Sequence, residues 1–307
     1  RRRNAVRRTM LRIIIEEALL SDRVRFVHAA DVHLDAPFHG IRAEDDAVGR
    51  VLAEATFHAF ERVVSLCLER GVDFLVLAGD TYDTADVSLR AQLAFRRGMQ
   101  RLAEGGIEVF LAHGNHDPAS GWSAKLALPD NVRVFSADRV DRFEVVRDDR
   151  VIAAVYGRSF GKSAETANLS LGYAREGAEP VAVGVLHANV GGRTEYDPYA
   201  PASLDDLKAA RMDYWALGHI HKHEVLSREP WIVYAGSPQG LNPKEIGAHG
   251  CVVVEVGPGG SADVEHIETA PVAWSRLTVD VSDAHGIEDV RAAVAEACQG
   301  ARRDSGR

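Results

Sequence analysis

The chain has 307 residues, 46% hydrophobic and 26% charged, which is ample for a globular core. Its net charge is −9, and with five arginines crowded into residues 1–9 the stretch 10–300 carries −16. That balance argues against a simple nucleic-acid binder, whose affinity comes from neutralising phosphates.

Residues 1–23 read as an N-terminal extension. The chain does not begin with Met, the first Met is Met10, and residues 1–9 resemble upstream translation. Glu16 and Glu17 interrupt the apolar part of this opening and no small-residue cleavage site follows, so no signal peptide is expected. No apolar run reaches the ~18 residues of a membrane span. Val24–Ala30 is a short apolar run and predicts a buried strand. Residues 44–70 place Val48, Leu52, Ala55, Ala59, Val63 and Cys67 at helical spacing, with Gly71 as the stop and the apolar face assigned to the core. Asp73–Ala78 predicts a second buried strand, 86–103 a second helix and Glu108–Ala112 a third strand. Alternation of this kind indicates an α/β layered fold. Strands follow at 131–135, 142–146, 151–156, 181–186, 213–217, 231–235, 250–256 and 262–268, with a short helix at 203–210. Trp274–Val281 predicts one more strand and Gly286–Cys298 one more helix. These two cannot close a core of their own, so the segment reads as the start of a unit cut short. Cys67, Cys251 and Cys298 are too few and too scattered for a disulfide framework or a zinc cluster, and a reducing cytoplasm is the expected location.

The chemistry lies where the strands end. The first strand runs into Asp31 and His33, and the second into Gly79-Asp80-Thr81-Tyr82-Asp83. The third runs into Gly114-Asn115-His116-Asp117, the 181–186 strand into His187, and the 213–217 strand into Gly218-His219-Ile220-His221. Ligand sites in α/β sheets form at the carboxyl ends of strands. Imidazole and carboxylate donors without thiolate suit Mn²⁺, Fe²⁺ or Zn²⁺. Alternation along an extended segment would put both members of D-x-H, and both of H-x-H, on one side. One ion cannot use seven such ligands; two ions sharing a carboxylate can. Glycine before Asp80, Asn115 and His219 would let the backbone turn tightly.

These blocks, DVH, GDTYD, GNHD, the lone His187 and GHIH, resemble in order those of the calcineurin-like metallophosphoesterase superfamily. HAADVHLDAPFHG, LHANVGG and GHIHKHEVL followed by YAGSPQGLNPKE resemble the SbcD-type DNA repair exonucleases, especially the YhaO-like branch. The resemblance implies a four-layer α/β/β/α sandwich over residues 24–270 and the start of a truncated α/β cap over 271–307. It implies Asp31, His33 and His221 on one metal, Asp80 on both, and Asn115, His187 and His219 on the other. His116 would protonate the leaving oxygen and Asp83 would orient it; Asp117 either supports the site from behind or caps its turn. The implied cofactor is a pair of divalent ions, Mn²⁺ first, with Fe²⁺, Zn²⁺ or Mg²⁺ as alternatives. The implied activity is 3′→5′ exonuclease and single-strand endonuclease cleavage in DNA repair. The implied partners are DNA ends, an SbcC-like coiled-coil ATPase and a second copy of the chain, with no membrane. A small-molecule phosphodiesterase or phosphoprotein phosphatase on the same core is the alternative, and a catalytically silent scaffold a third. His28 is expected in the core or behind the site, while His39, His113 and His223 flank the motifs. Lys222, Lys244 and Arg158 lie on expected loops as DNA-backbone candidates. Trp122, Trp215 and Trp231 are expected in the core.

Overall fold

The computed structural model describes residues 23–40, 46–83, 87–120 and 126–305. The expectation for Trp122 lies outside them. Two six-stranded mixed sheets face one another. The first has the order β12-β11-β1-β2-β3-β4, where β1 is Val24–Ala29, β2 Phe74–Ala78, β3 Glu108–Ala112, β4 Val132–Val134, β11 Gly250–Val256 and β12 Ala262–Glu268. The second has the order β5-β6-β7-β8-β10-β9, where β5 is Asp141–Arg147, β6 Arg150–Gly157, β7 Val181–His187, β8 Tyr214–Gly218, β9 Glu224–Arg228 and β10 Trp231–Tyr234. Strands β1 to β4 are parallel in the first sheet, and β6, β7, β8 and β10 in the second. Parallel strands are covered on both faces, which is why they read as unbroken apolar runs; every residue of β2, β7 and β8 is buried.

Three apolar clusters define four layers. One lies between the sheets and includes Phe26, Phe74, Phe110 and Tyr214. A second packs helices α1 (Asp46–Arg70) and α2 (Leu89–Glu104) on the first sheet, with Cys67 buried in it. A third packs α3 (Leu204–Ala209) and the 3₁₀ turn Leu169–Gly172 on the second sheet around Trp215. Trp231 is partly buried against the central cluster. The α/β/β/α sandwich is therefore as expected.

Gly71 ends α1 in the left-handed region, φ +57°, with Val72 N donating to Cys67 O. The face of α1 is core from Ala55 onward, but Val48 and Val51 are 49% and 55% exposed, so the assignment of that whole face to the core is corrected. Trp274–Val281 is not a strand. Trp274 makes one bridge to Ile246 and donates its indole N–H to Gly240 O, 3.0 Å; the residues after it pair with no strand edge. The last helix, α4, is longer than expected, Ile287–Ser305. Strand β9 was not expected. Its sequence, EVLSR, is polar, and it forms by pairing along the edge of β10. Among the described residues no helix is long and apolar enough to cross a membrane.

His28 ties the sheets together. Its Nε2–H donates to Leu217 O (3.1 Å) and its Nδ1 accepts from the Tyr214 hydroxyl (3.0 Å). Burial pushes its pKa down from 6.5 to about 3. The unfolded chain therefore takes up a proton that the folded chain refuses, and stability falls as pH drops from 6.5 toward 3. The slope from this one group is about 1.4 kcal/mol per pH unit. In urea unfolding at a series of pH values, His28→Gln is expected to lose that much of the acid slope. Equal slopes in the two proteins would show that His28 does not titrate on unfolding.

Candidate metal centre

The parallel strands of both sheets end at the same edge, and their C-terminal loops are laced together. Asp31 N donates to Gly79 O, His33 N to Asp80 O and Leu34 N to Thr81 O, all at 3.0–3.1 Å. Each buried carboxylate also accepts a backbone N–H from another strand's loop. Asp31 takes His219 N at 3.0 and 3.1 Å, and Asp80 takes His116 N at 2.9 Å. Asp117 spans two loops, accepting Gly114 N on Oδ1 and Thr81 N on Oδ2, both at 2.9 Å. Capping and support of the site are thus one role of the same carboxylate.

The seven expected ligands come together. Asp31, His33, Asp80 and His187 are almost fully buried. His33 Nε2 lies 3.2 Å from His221 Nε2 and 3.9 Å from Asp80 Oδ2. His187 Nε2 lies 3.3 Å from Asp80 Oδ2 and 3.0 Å from Asn115 Oδ1, which is 3.2 Å from His219 Nδ1. Among the described residues, three overlapping groups have donor atoms within 4.8 Å of one another: Asp31-His33-His221, His33-Asp80-His116 and Asp31-Asp80-His187.

The opposite nitrogens show that this set fits cations. His187 Nδ1–H donates to Ala78 O (3.0 Å), His219 Nε2–H to Asp197 O (2.8 Å) and His221 Nδ1–H to Glu245 Oε1 (2.8 Å). His33 Nδ1 lies 3.2 Å from Asp83 Oδ1. His187, His219 and His221 are each held by such a bond with the other nitrogen turned toward the centre, whereas His33 Nδ1 meets the Asp83 carboxylate without a hydrogen bond of good geometry. His187 Nε2 and His219 Nδ1 both face the Asn115 side chain, at 3.0 and 3.2 Å, a set of imidazole and oxygen donors of the kind a divalent cation takes.

Electrostatics agree. Burial pushes His187 down, but the Asp80 carboxylate outweighs it and raises the ring to about 9. Burial pushes Asp80 up, and His187 and His33 outweigh that in turn, holding it below the usual range. Burial raises Asp31, against the pull of His187 and His221. Burial lowers His219 to about 4, which keeps it a neutral donor.

Two local expectations change. Asp31, His33, Asp80 and His219 have φ of +50°, +44°, +50° and +96°, so D-x-H and H-x-H are not extended segments. Left-handed turns rather than strand alternation aim these side chains, at ~1–3 kcal/mol of strain each. Of the three flanking glycines only Gly79, φ +94°, has a positive φ. All three are needed because a Cβ would collide, at Gly79 with His187, at Gly114 with Asp80 and at Gly218 with Ala78 O.

Asp83 divides its work. Its carboxylate is nearer His33 Nδ1 (3.2 Å) than His116 Nδ1 (3.6 Å), while its main-chain oxygen accepts His116 Nδ1–H at 2.8 Å. The expected orienting of His116 is done chiefly by the backbone. His28 serves the core rather than this site. His223 Nδ1–H donates to Tyr234 O, and Arg158 binds Ala137 O.

A cavity of about 360 Å³ opens over the centre, lined by Asp80, Asn115, His116, His219 and His221, and by Thr194–Asp197 and Glu245. A family model described as calcineurin-like phosphoesterase matches residues 24–223. The chain belongs to that family. Its Asp and His cluster is of the dinuclear kind the family uses. Over 267 residues the chain is 38% identical to the uncharacterized metallophosphoesterase YhaO of Bacillus subtilis, covering 87% of this chain and 65% of that protein. It is 28% identical to the DNA double-strand break repair protein Mre11 of Methanopyrus kandleri, over 87% of this chain and 62% of that one. It is 22% identical to a component of the SbcCD nuclease of Bacillus subtilis, over 80% of this chain and 69% of that one. The chain thus spans under two thirds of the length of the first two relatives.

Glu245 has no counterpart among the residues expected at the site. It lies 24 residues beyond His221, at the end of the GLNPKE segment, and nothing local marks it as a partner of that ring. Besides His221 it accepts Leu241 N (2.6 Å) and Asn242 Nδ2 (2.8 Å). Glu245→Gln is expected to weaken an ion held by His221 by about 10- to 100-fold, because the ring loses the charge that makes it basic. Calorimetric titration with Mn²⁺ measures this, and an unchanged affinity would show that the ring is held without Glu245.

Proposed function

We propose that this chain hydrolyses the phosphodiester bonds of DNA as a two-metal nuclease acting on DNA ends, with Mn²⁺ as its ion. The observation that carries the two-metal part is the set of lone pairs converging around Asp31 and Asp80. The DNA part is supported by the relatives described as a double-strand break repair protein and a nuclease component. Asp31, His33 and His221 would hold one ion and Asn115, His187 and His219 the other, with Asp80 shared. When bound, the ions would lower the pKa of water and draw charge from the phosphoryl oxygens.

The chain's own groups would do the rest. His116 is partly exposed on the cavity wall, and its Nδ1–H is tied to Asp83 O. Its Nε2 is therefore the atom that would carry a proton to the leaving oxygen, an effect typically worth ~10²–10⁴-fold. His116 stands within reach of Asp80 and His33, but the tie to Asp83 O and its place on the wall favour the proton-transfer role. An SbcC-like ATPase and a second copy of the chain are the proposed protein partners.

With Mn²⁺, labelled linear duplex DNA is expected to be degraded from its ends, and a chelator to stop it. Turnover of a chromogenic phosphodiester or a cyclic nucleotide beside intact DNA would refute the nuclease reading and favour a small-molecule phosphodiesterase. His116→Asn is expected to abolish cleavage, by about 10²-fold or more, while binding two ions as the parent does. Loss of an ion in that variant would make His116 a ligand.

A further inference from the structure

We propose that Asn189 is a positioning residue of the metal centre, which fixes through the Asp197 carbonyl both the loop roofing the substrate cavity and the imidazole of His219. The inference rests on the two-metal reading above. Asn189 is 1% exposed and lies just past the end of β7. Its Oδ1 accepts Arg193 N at 2.8 Å, and its Nδ2 donates to Arg193 O at 2.9 Å and to Asp197 O at 3.1 Å. Its backbone adds two bonds, N to Tyr199 O at 3.0 Å and O from Ala202 N at 3.2 Å. These partners settle the amide's orientation, since reversing it would set oxygen against two carbonyls and NH₂ against an N–H. The Asn189 side chain thus ties residues 193 and 197 of this turn together.

That turn has two tasks. It places Thr194, Glu195, Tyr196 and Asp197 in the wall of the cavity that Asp80, Asn115 and His116 also line. The Tyr196 ring comes within 6.1 Å of the His219 ring and 6.4 Å of the His221 ring. It also presents Asp197 O to His219 Nε2 at 2.8 Å. That carbonyl oxygen accepts from Asn189 Nδ2, from Tyr199 N at 2.8 Å and from His219 Nε2. The bonds from Asn189 and Tyr199 together fix where the oxygen stands. The bond from His219 fixes that ring's tautomer and leaves its Nδ1 lone pair facing Asn115 Oδ1 at 3.2 Å.

Asn189→Asp separates these tasks at nearly constant shape. It keeps an acceptor for Arg193 N but sets a carboxylate oxygen against Asp197 O, which must move away from His219. The test compares metal-free parent and variant by calorimetric titration with Mn²⁺, by melting temperature, and by ¹⁵N-resolved NMR of the imidazole N–H groups. The parent is expected to bind two ions. The variant is expected to stay folded, hold one ion at parental affinity, hold the other about 10- to 100-fold more weakly, and lose the His219 Nε2–H resonance. Parental affinity at both sites in a folded variant would overturn the proposal. So would equal weakening at both, which would mean general damage rather than positioning of His219. Should Asn189→Asp fail to fold, Asn189→Ala, which adds no charge, decides by the same criteria. A parent that binds fewer than two ions would instead refute the two-metal reading, a separate failure visible before any variant is made.

Discussion

A carboxylate buried between two sheets survives only where positive charge or hydrogen-bond donors surround it, and Asp80 is such a carboxylate. It sits at the end of β2, at the middle of the cluster. It draws a backbone N–H from the loop after β3, His187 from the second sheet and His33 from the loop after β1. Asp31 does the same for the loop after β8. The charges that would bind metal are therefore also the charges that gather the strand ends. Fold and site are held by the same contacts, and neither Asp can change without disturbing the other residues.

The backbone around these groups is shaped for that purpose. Four of the cluster residues adopt positive φ, a conformation that only a surrounding framework maintains. The glycines at positions 79, 114 and 218 leave room where His187, Asp80 and Ala78 O press against the main chain. Behind the rings, Ala78 O, Asp197 O and Glu245 each accept the outward nitrogen of one histidine, and the Asp83 carboxylate lies 3.2 Å from that of His33. Three of the rings are thus fixed in orientation before any ion arrives, and binding would displace the proton that Asp80 favours on His187. The acidic balance of the chain loses its force against a DNA substrate for the same reason. Local field rather than net charge governs approach, and the charge of the two buried carboxylates would be offset by the ions they would hold.

Much of this was legible in the sequence, because parallel strands covered on both faces write themselves as apolar runs. A burst of Asp, Asn or His at the end of such a run, as at Asp31, Asp80, Asn115, His187 and His219, then stands out. The illegible parts depend on neighbours distant in the chain. EVLSR becomes β9 only because β10 offers an edge, whereas Trp274–Val281 alternates and has no edge to join. D-x-H spacing suggested an extended segment because positive φ at a non-glycine residue leaves no compositional trace. Asn189 and Glu245 act on rings 30 and 24 residues away, respectively, through a backbone carbonyl or a carboxylate. No local pattern encodes a contact of that kind.

The central claim is that one buried carboxylate, Asp80, serves two ions. Electron paramagnetic resonance of the Mn²⁺-loaded protein, with and without Asp80→Asn, tests it most directly. The account predicts two magnetically coupled ions in the parent and weakened binding of both in the variant. Two uncoupled ions in the parent, or a variant that keeps one at parental affinity, would contradict it.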